Sequence, residues 1–396
     1  MTNLIIVGAR RRAAAMSAVE AGFEPWCVDL FADTDLQAIA PAEACASYPD
    51  GLPEALENVP SGHWIYTGAL ENRPDVLARM MTKRHRLLGN APDIVRAVRD
   101  PAAWGPILAT GGCDVPRFAS NAVDVPTDGS WLRKPLASGN GTGVRAWHGE
   151  VEADSENAYF QERISGVPYG AVFVAAERNV VFLGASRQLI AVPWCLGDDR
   201  PEREFAYCGS IGPTHFDDPV IERWQAIGSV LAREFGLVGL FGVDAILTPD
   251  RRLFVLEINP RYTASIEVLE RASLRGTSGN RGKRLLAIAA HVNACREGKL
   301  PDRVLPVPGA TAGKAILYAA PGGMTRFPVA AAQWAAVMNL SSRKPAVADI
   351  PVVDTTHSPG RPILTVLAEG ADEDDVREKL IDLAAEARDV LEFEES

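Results

Sequence analysis

A chain of 396 residues is too long for one compact core and implies two or three domains. Its 47% hydrophobic and 23% charged residues are ordinary for a globular protein, and a formal net charge of −11 argues against a nucleic-acid binder, which needs a basic patch. No apolar stretch approaches the ~18 residues that cross a bilayer. The start lacks the features of a signal peptide, and the cysteines (Cys27, Cys45, Cys113, Cys195, Cys208, Cys295) form no C-x-x-C pair, so a cytoplasmic protein with buried reduced thiols is expected.

From the N-terminus, LIIVGAR (4–10) reads as a buried strand, 13–21 as an Ala-rich helix and PWCVDL (25–30) as a second strand. HWIYTGAL (63–70) is another strand, and Leu77, Met80, Met81, Arg84 and Leu88 lie at near-helical spacing after Asp75. This alternation predicts a small parallel sheet. Only Gly8 follows the first strand, so the G-x-G-x-x-G fingerprint is absent and an NAD enzyme is a poor reading. Arg10, Arg11 and Arg12 stand where α/β folds place ligands. They greet an anionic substrate or form a solvated basic turn. Glu71, in GALEN, meets a substrate amine or faces water.

Between about 116 and 182 the texture changes to short strands (WLRKPL, GVRAW, AYFQERI, AVFVAA, VVFLGAS) separated by turn residues, the pattern of an antiparallel sheet. Lys134 ends one of them, just before Gly139, Gly141 and Gly143. Such a loop lets backbone amides cradle phosphates while the lysine supplies charge, or it is a flexible turn with an exposed lysine. The lysine precedes the glycines, so this is no Walker A loop. In YFQERISG, Gln161, Glu162 and Ile164 offer donors and acceptors for an adenine, or belong to a plain edge strand.

A helix carries Trp224, Ile227, Leu231 and Phe235 on one face. GVDAILTPDRRLFVLEINPRY (242–262) then reads as a β-hairpin. With Asp250 and Arg251 as the turn, Asp244 faces Glu257 and Asn259 shares their side of the sheet. Facing carboxylates repel unless a cation such as Mg²⁺ neutralises them. The alternative is a solvated sheet face. GKAILYA (313–319) and ILTVLAEG (363–370) are late strands, and a last helix, acidic from Asp372 to Asp375, bears Val376, Leu380, Leu383, Ala387 and Leu391. The six histidines form no metal-like cluster, and no G-x-S-x-G serine elbow occurs.

The order of these parts (βαβ domain, lysine with glycine loop, Q-E-x-I strand, D-x₁₂-E-x-N-P-R) resembles the ATP-grasp superfamily over almost the whole chain. Its members include D-alanine–D-alanine ligase, biotin carboxylase and the carboxyaminoimidazole ribonucleotide synthetases. By texture the chain is most similar to predicted carboligases and to the tyramine–glutamate ligase of methanofuran synthesis. The resemblance implies an α/β (α+β) ATP-grasp fold with an N-terminal Rossmann-like domain (1–85), an ATP-grasp domain (86–300, lid about 116–182) and a C-terminal domain (301–396). It implies ATP and Mg²⁺ (or Mn²⁺) as cofactors, with Asp244, Glu257 and Asn259 as metal ligands. Lys134, with Gly139, Gly141 and Gly143, would hold the phosphates, and Gln161, Glu162 and Ile164 the adenine. Arg261 would be the catalytic arginine that steadies the acyl phosphate and oxyanion. The family often has Glu in place of Gln161 and a second Glu for the ribose. Here GVPYGA holds no acid, so the ribose contact is unassigned.

The reaction implied is ADP-forming ligation of a small-molecule carboxylate to an amine through an acyl phosphate, in cofactor biosynthesis if the methanofuran likeness holds. The alternatives are a bicarbonate-using carboxylase and a non-catalytic nucleotide-binding protein. No nucleic-acid or membrane partner is expected, and a homodimer is left open.

Overall fold

The computed structural model describes residues 2–150, 157–198, 203–275, 284–302, 310–340 and 344–395. It opens with five parallel strands, β1 (Thr2–Gly8), β2 (Phe23–Asp29), β3 (Ala42–Ala44), β4 (Gly62–Tyr66) and β5 (His85–Leu87), ordered β3-β2-β1-β4-β5. Helices α1 (Arg12–Glu20), α2 (Thr34–Ile39), α3 (Leu52–Glu57) and α4 (Pro74–Met80) connect them. Leu4 and Ile6 enter one core while Ile5 and Val7 enter another, so β1 is buried on both faces, as a parallel sheet requires.

Two expectations shift here. The strand read as 63–70 ends at Tyr66, and a 3₁₀ turn (Leu70–Asn72) follows, entered through Ala69 at φ 76°. The helix after Asp75 stops at Met80, because 85–87 pair with β4 and bring Leu88 to the core along a strand.

Helices α5 (Pro92–Arg99) and α6 (Pro101–Thr110) follow. Pro101 excludes the helical region at Asp100, which stands at φ −93°, ψ 110°, so α5 stops with Arg99 at its tip. The Asp100 carboxylate then caps α6 by accepting from the Ala102 N–H at 2.9 Å.

The segments expected to form one antiparallel sheet over 116–182 divide between two. Strands β6 (Phe118–Ala119), β7 (Trp131–Pro135), β8 (Arg145–Ala146) and β9 (Ala158–Glu162) form a small sheet, ordered β6-β9-β7-β8, with its own core of Val125, Trp131, Trp147 and Phe160. Residues 151–156 of this stretch lie outside the described residues. AVFVAA and VVFLGAS fall in β10 (Val167–Ala176) and β11 (Asn179–Ile190), where six consecutive residues, 171–176, are buried. A strand apolar on both faces needs cover on both, which the small sheet does not supply.

After α7 (Pro193–Leu196) come β12 (Tyr207–Gly212), α8 (Asp218–Phe235), β13 (Gly239–Leu247), β14 (Leu253–Asn259), α9 (Ala264–Arg275) and α10 (Ala287–Glu297). The chain closes with β15 (Thr311–Tyr318), β16 (Gly323–Arg326), α11 (Val329–Leu340), β17 (Val347–Ala348), β18 (Thr356–His357), β19 (Pro362–Gly370), α12 (Glu373–Asp389) and β20 (Glu392–Glu395). The large sheet is antiparallel throughout, ordered β14-β13-β10-β11-β12-β15-β19-β17, so the C-terminal strands extend the sheet that carries the hairpin. On one face Phe173 and Phe241 pack on Trp224, Ile227 and Leu231 of α8. On the other, Val172, Val174 and Leu240 share a core with α1, α9 and α10, joining the N-terminal sheet to the large one.

Candidate active site

The hairpin brings Asp244 opposite Glu257, but by a different route from a two-residue turn. The closing pair is Leu247 with Leu253, and 248–252 form the loop, with Arg251 at φ 66° and its N–H donating to Thr248 O at 2.9 Å. That register would set Asp244 against Leu256. A bulge at Leu256 advances β14 by one residue, and the pairs beyond it are Asp244–Glu257, Val243–Ile258 and Gly242–Asn259. Val243 and Ile258 enter the core beneath α8, so the alternating Asp244, Glu257 and Asn259 face the cleft.

Both oxygens of Asp244 are engaged: Oδ1 accepts from Gln188 Nε2 at 2.7 Å and Oδ2 from Asn259 Nδ2 at 2.9 Å. Burial, and then the facing Glu257, push its carboxyl up to about 7 against the opposing pull of Arg261 and the two amides. Glu257 goes the other way. Burial raises it, but Arg99 and Lys134 outweigh burial and hold it below the usual range. Asn259 turns its nitrogen to Asp244 and its Oδ1 to Arg261 Nη2 at 3.3 Å, so its oxygen reaches a metal only after the amide turns over.

Arg99, unmarked in the sequence reading, pairs with Glu257 from the tip of α5. Its Nη2 also donates to Asn72 Oδ1 at 3.0 Å and Ser138 O at 3.1 Å. The available signal was the RDP break, which leaves an arginine at a helix end. Gln188, also unmarked, offered only a polar residue in an apolar strand.

Lys134 lies across the cleft from Glu257, its Nζ donating to Gln161 Oε1 at 2.7 Å and lying 5.6 Å from the Tyr159 ring. The cavity among Arg99, Lys134, Ser138, Tyr159 and Glu257 holds about 20 Å³, room for a water. Within that loop Asn140, Gly141 and Gly143 all have positive φ (56°, 75° and 73°). A Cβ on Gly141 would stand 1.8 Å from Phe205 O, and the Tyr207 N–H donates to Asn140 O at 3.1 Å. The loop expected to be free is thus seated on 205–207, and the glycine permits that approach.

On β9, Gln161 is 1% exposed and turned inward, whereas Glu162 pairs with Arg117 at 3.1 Å on the outer side. Ile164 lies just past the strand, half-buried. Arg261 reaches the N-terminal sheet, where Glu71 receives its Nη2. Glu71, 2% exposed, therefore does not face water. The arginines after β1 are not a solvated turn either. Arg11 pairs with Asp29 at 2.6 Å, and Arg12 lies among Glu267 (2.6 Å), Asp349 (3.2 Å) and Asp35 (3.5 Å). Arg10 donates to Pro362 O at 2.9 Å and lies over the Phe31 ring. The parallel sheet is packed against the C-terminal strands at this end, which draws the arginines inside.

All six cysteines are free, and among the described residues no helix is long and apolar enough to cross a membrane.

Residues 107–265 match the family described as the ATP-grasp domain. No curated protein matches the chain. Solved structures resemble it over nearly their whole lengths. One is N5-carboxyaminoimidazole ribonucleotide synthetase from Thermotoga maritima (TM-score 0.64, 14% identity, 100% of both chains). A second is the biotin carboxylase domain of 2-oxoglutarate carboxylase from Hydrogenobacter thermophilus, in complex with MgADP, ADP and bicarbonate (TM-score 0.68, 13% identity, 100% of this chain and 91% of that one). A third is L-amino acid ligase from Bacillus licheniformis (TM-score 0.63, 13% identity, 100% and 99%). Identities this low carry the fold and leave the reaction to the site. Residues 107–265 thus match the ATP-grasp domain, and the fold of the whole chain is similar to that of these solved structures.

Proposed function

We propose that this protein is an ATP-dependent carboxylate–amine ligase that releases ADP and phosphate. The observation that carries the reading is the facing of Asp244 and Glu257 in one cleft with Lys134, beside Arg261. Asp244 and Glu257, with Asn259 once its amide turns over, suit a hard divalent ion, because oxygen donors are what Mg²⁺ or Mn²⁺ takes and a cation relieves the repulsion that raises Asp244. Bound there, such an ion would lower the charge barrier at the nucleotide phosphates.

Lys134 offers a fixed charge to phosphate oxygens, with the backbone around Gly139, Gly141 and Gly143 closing over them. The end of β9, from Gln161 to Ile164, would line the adenine, with Gln161 rather than the outward-facing Glu162 turned to it. A substrate carboxylate attacks the γ-phosphorus of ATP, and the bond to the ADP oxygen breaks. The amine nitrogen then displaces phosphate from the acyl phosphate and gives up a proton to solvent. Arg261, aimed by Glu71, would stabilise the oxyanion of that second step. Residues 1–85 and 301–396 would shape the acceptor pocket, and 86–300 would hold the nucleotide.

The test is incubation with Mg²⁺–ATP and a panel of carboxylic acids and amines, with and without bicarbonate, followed by chromatography of the nucleotide. ADP formed only when acid and amine are both present supports the ligase. Bicarbonate dependence would mark a carboxylase, AMP with pyrophosphate would sink the acyl-phosphate route, and ATP bound but never consumed would mark a non-catalytic binder. Lys134→Met is expected to weaken ATP binding by about tenfold in calorimetry with the fold intact.

A further inference from the structure

The 3₁₀ turn Leu70–Asn72 lies outside every segment that carries nucleotide chemistry, yet it grips both arginines of the cleft. Glu71 receives Arg261. Its neighbour Asn72 accepts from Arg99 Nη2 at 3.0 Å through Oδ1 and donates through Nδ2 to Ser138 O at 3.1 Å. Arg99 Nη2 donates to the same carbonyl at 3.1 Å, while its Nη1 is paired with Glu257. Asn72, Arg99 and Ser138 thus close a triangle of hydrogen bonds that joins the N-terminal sheet, the tip of α5 and the glycine loop.

The turn is well placed to hold such a load. Leu70 anchors it in the core at 0% exposure, and Ala69 enters it in the left-handed region, which fixes the direction of the two side chains that follow. Arg261, half-buried, also donates to Tyr262 O at 3.1 Å and Asn259 Oδ1 at 3.3 Å, and Glu71, 2% exposed, adds the counter-charge that favours this one position.

We propose that Glu71 and Asn72 are positioning residues of the proposed reaction. Glu71 aims Arg261, Asn72 latches the glycine loop through Arg99, and their adjacency ties loop closure to the placement of the arginine. The latch stands on the unliganded protein, and the aiming of Arg261 rests on the nucleotide reading.

Two measurements on the full-length chain separate these parts. The first is hydrogen exchange without ligand over 136–144, where the Leu136, Thr142 and Val144 amides donate to Asn157, Gly139 and Gly141. Asn72→Ala is expected to speed exchange there about fivefold and nowhere else, Asn72→Asp to speed it less because it still accepts from Arg99, and Glu71→Gln to leave it unchanged. Wild-type exchange in Asn72→Ala, or acceleration spread over the whole chain, overturns the latch. The second is calorimetry with Mg²⁺. Asn72→Ala is expected to bind a non-hydrolysable ATP analogue about fivefold more weakly. Glu71→Gln is expected to bind that analogue as wild type does, but ADP–aluminium fluoride, a mimic of the phosphoryl group in transfer, about tenfold more weakly. Unchanged ADP–aluminium fluoride affinity overturns the aiming role. A wild-type chain that binds neither nucleotide would remove the ligase reading, and the exchange measurement would still decide the latch.

Discussion

At Asp244 the folded protein holds a proton more tightly than the unfolded chain does, since burial and Glu257 push the carboxyl up to about 7 while an unfolded Asp titrates near ~3.9. The stability this residue contributes is complete below about pH 4 and is lost as pH rises toward about 7. Asp244→Asn is therefore expected to be more stable than wild type by about 1–2 kcal/mol above pH 7 and to converge on it near pH 4. Thermal melts across that range check the sign. The matching change at Glu257 runs oppositely. Glu257→Gln removes the same repulsion but strands Arg99, whose side chain is 12% exposed, and is expected to cost about 1–3 kcal/mol. The wild type's midpoint is expected to rise on adding Mg²⁺–ATP, and neither variant's is. From sequence the two carboxylates are equivalent halves of a repelling pair. The arginine that distinguishes them lies 158 residues away, and no local pattern points to it.

The glycine loop shows the same division at the scale of an element. Its composition announces a turn that lets backbone come close, and the approach is to Phe205, which the sequence does not mark. Gly141→Ala must push the loop off 205–207, and is expected to weaken ATP binding about tenfold and lower the thermal midpoint by a few degrees. Gly139→Ala, where an added Cβ meets nothing within 4 Å, is the control for the fold and should leave the thermal midpoint as in wild type. In the hairpin, the two apolar runs 243–247 and 253–258 were enough to read two strands. The bulge at Leu256 was not legible, because it arises from fitting β14 beside β13 and the loop together. In β10 and β11, short apolar runs between turn residues identified strands but not the sheet they join. Burial of both faces settled that.

Across the molecule, Arg12 stitches three regions. It starts α1 and meets Asp35 before the second crossover is complete, Glu267 on α9 and Asp349 ahead of β19. Lys314 joins the cluster through Glu267 at 2.8 Å, and Thr365 through Asp349 at 2.6 Å. Arg12→Met would take the guanidinium from two buried carboxylates, Glu267 and Asp349, and from the half-buried Asp35, and is expected to cost about 3–5 kcal/mol. Because Leu4 and Ile6 share a core with Val172, Val174 and Ile288, the loss should appear as one cooperative transition at lower temperature. Calorimetry that resolved an N-terminal part melting by itself would contradict this account of the core.

What the sequence determined by itself was the fold class and the order of its parts: a parallel βαβ start, short antiparallel strands around a lysine and a glycine loop, and a hairpin bearing two acids, an Asn-Pro and an arginine. These are local properties, because periodicity, turn chemistry and motif spacing are written within ten to twenty neighbouring residues. Tertiary structure alone decided which charges meet. Glu71 and Arg261 stand 190 residues apart, Arg12 and Asp349 337 apart, and in each pair both partners leave water only when distant segments pack. A charged residue met in sequence is read as solvated, since burial is costly, and it becomes structural when the fold delivers a counter-charge from far along the chain.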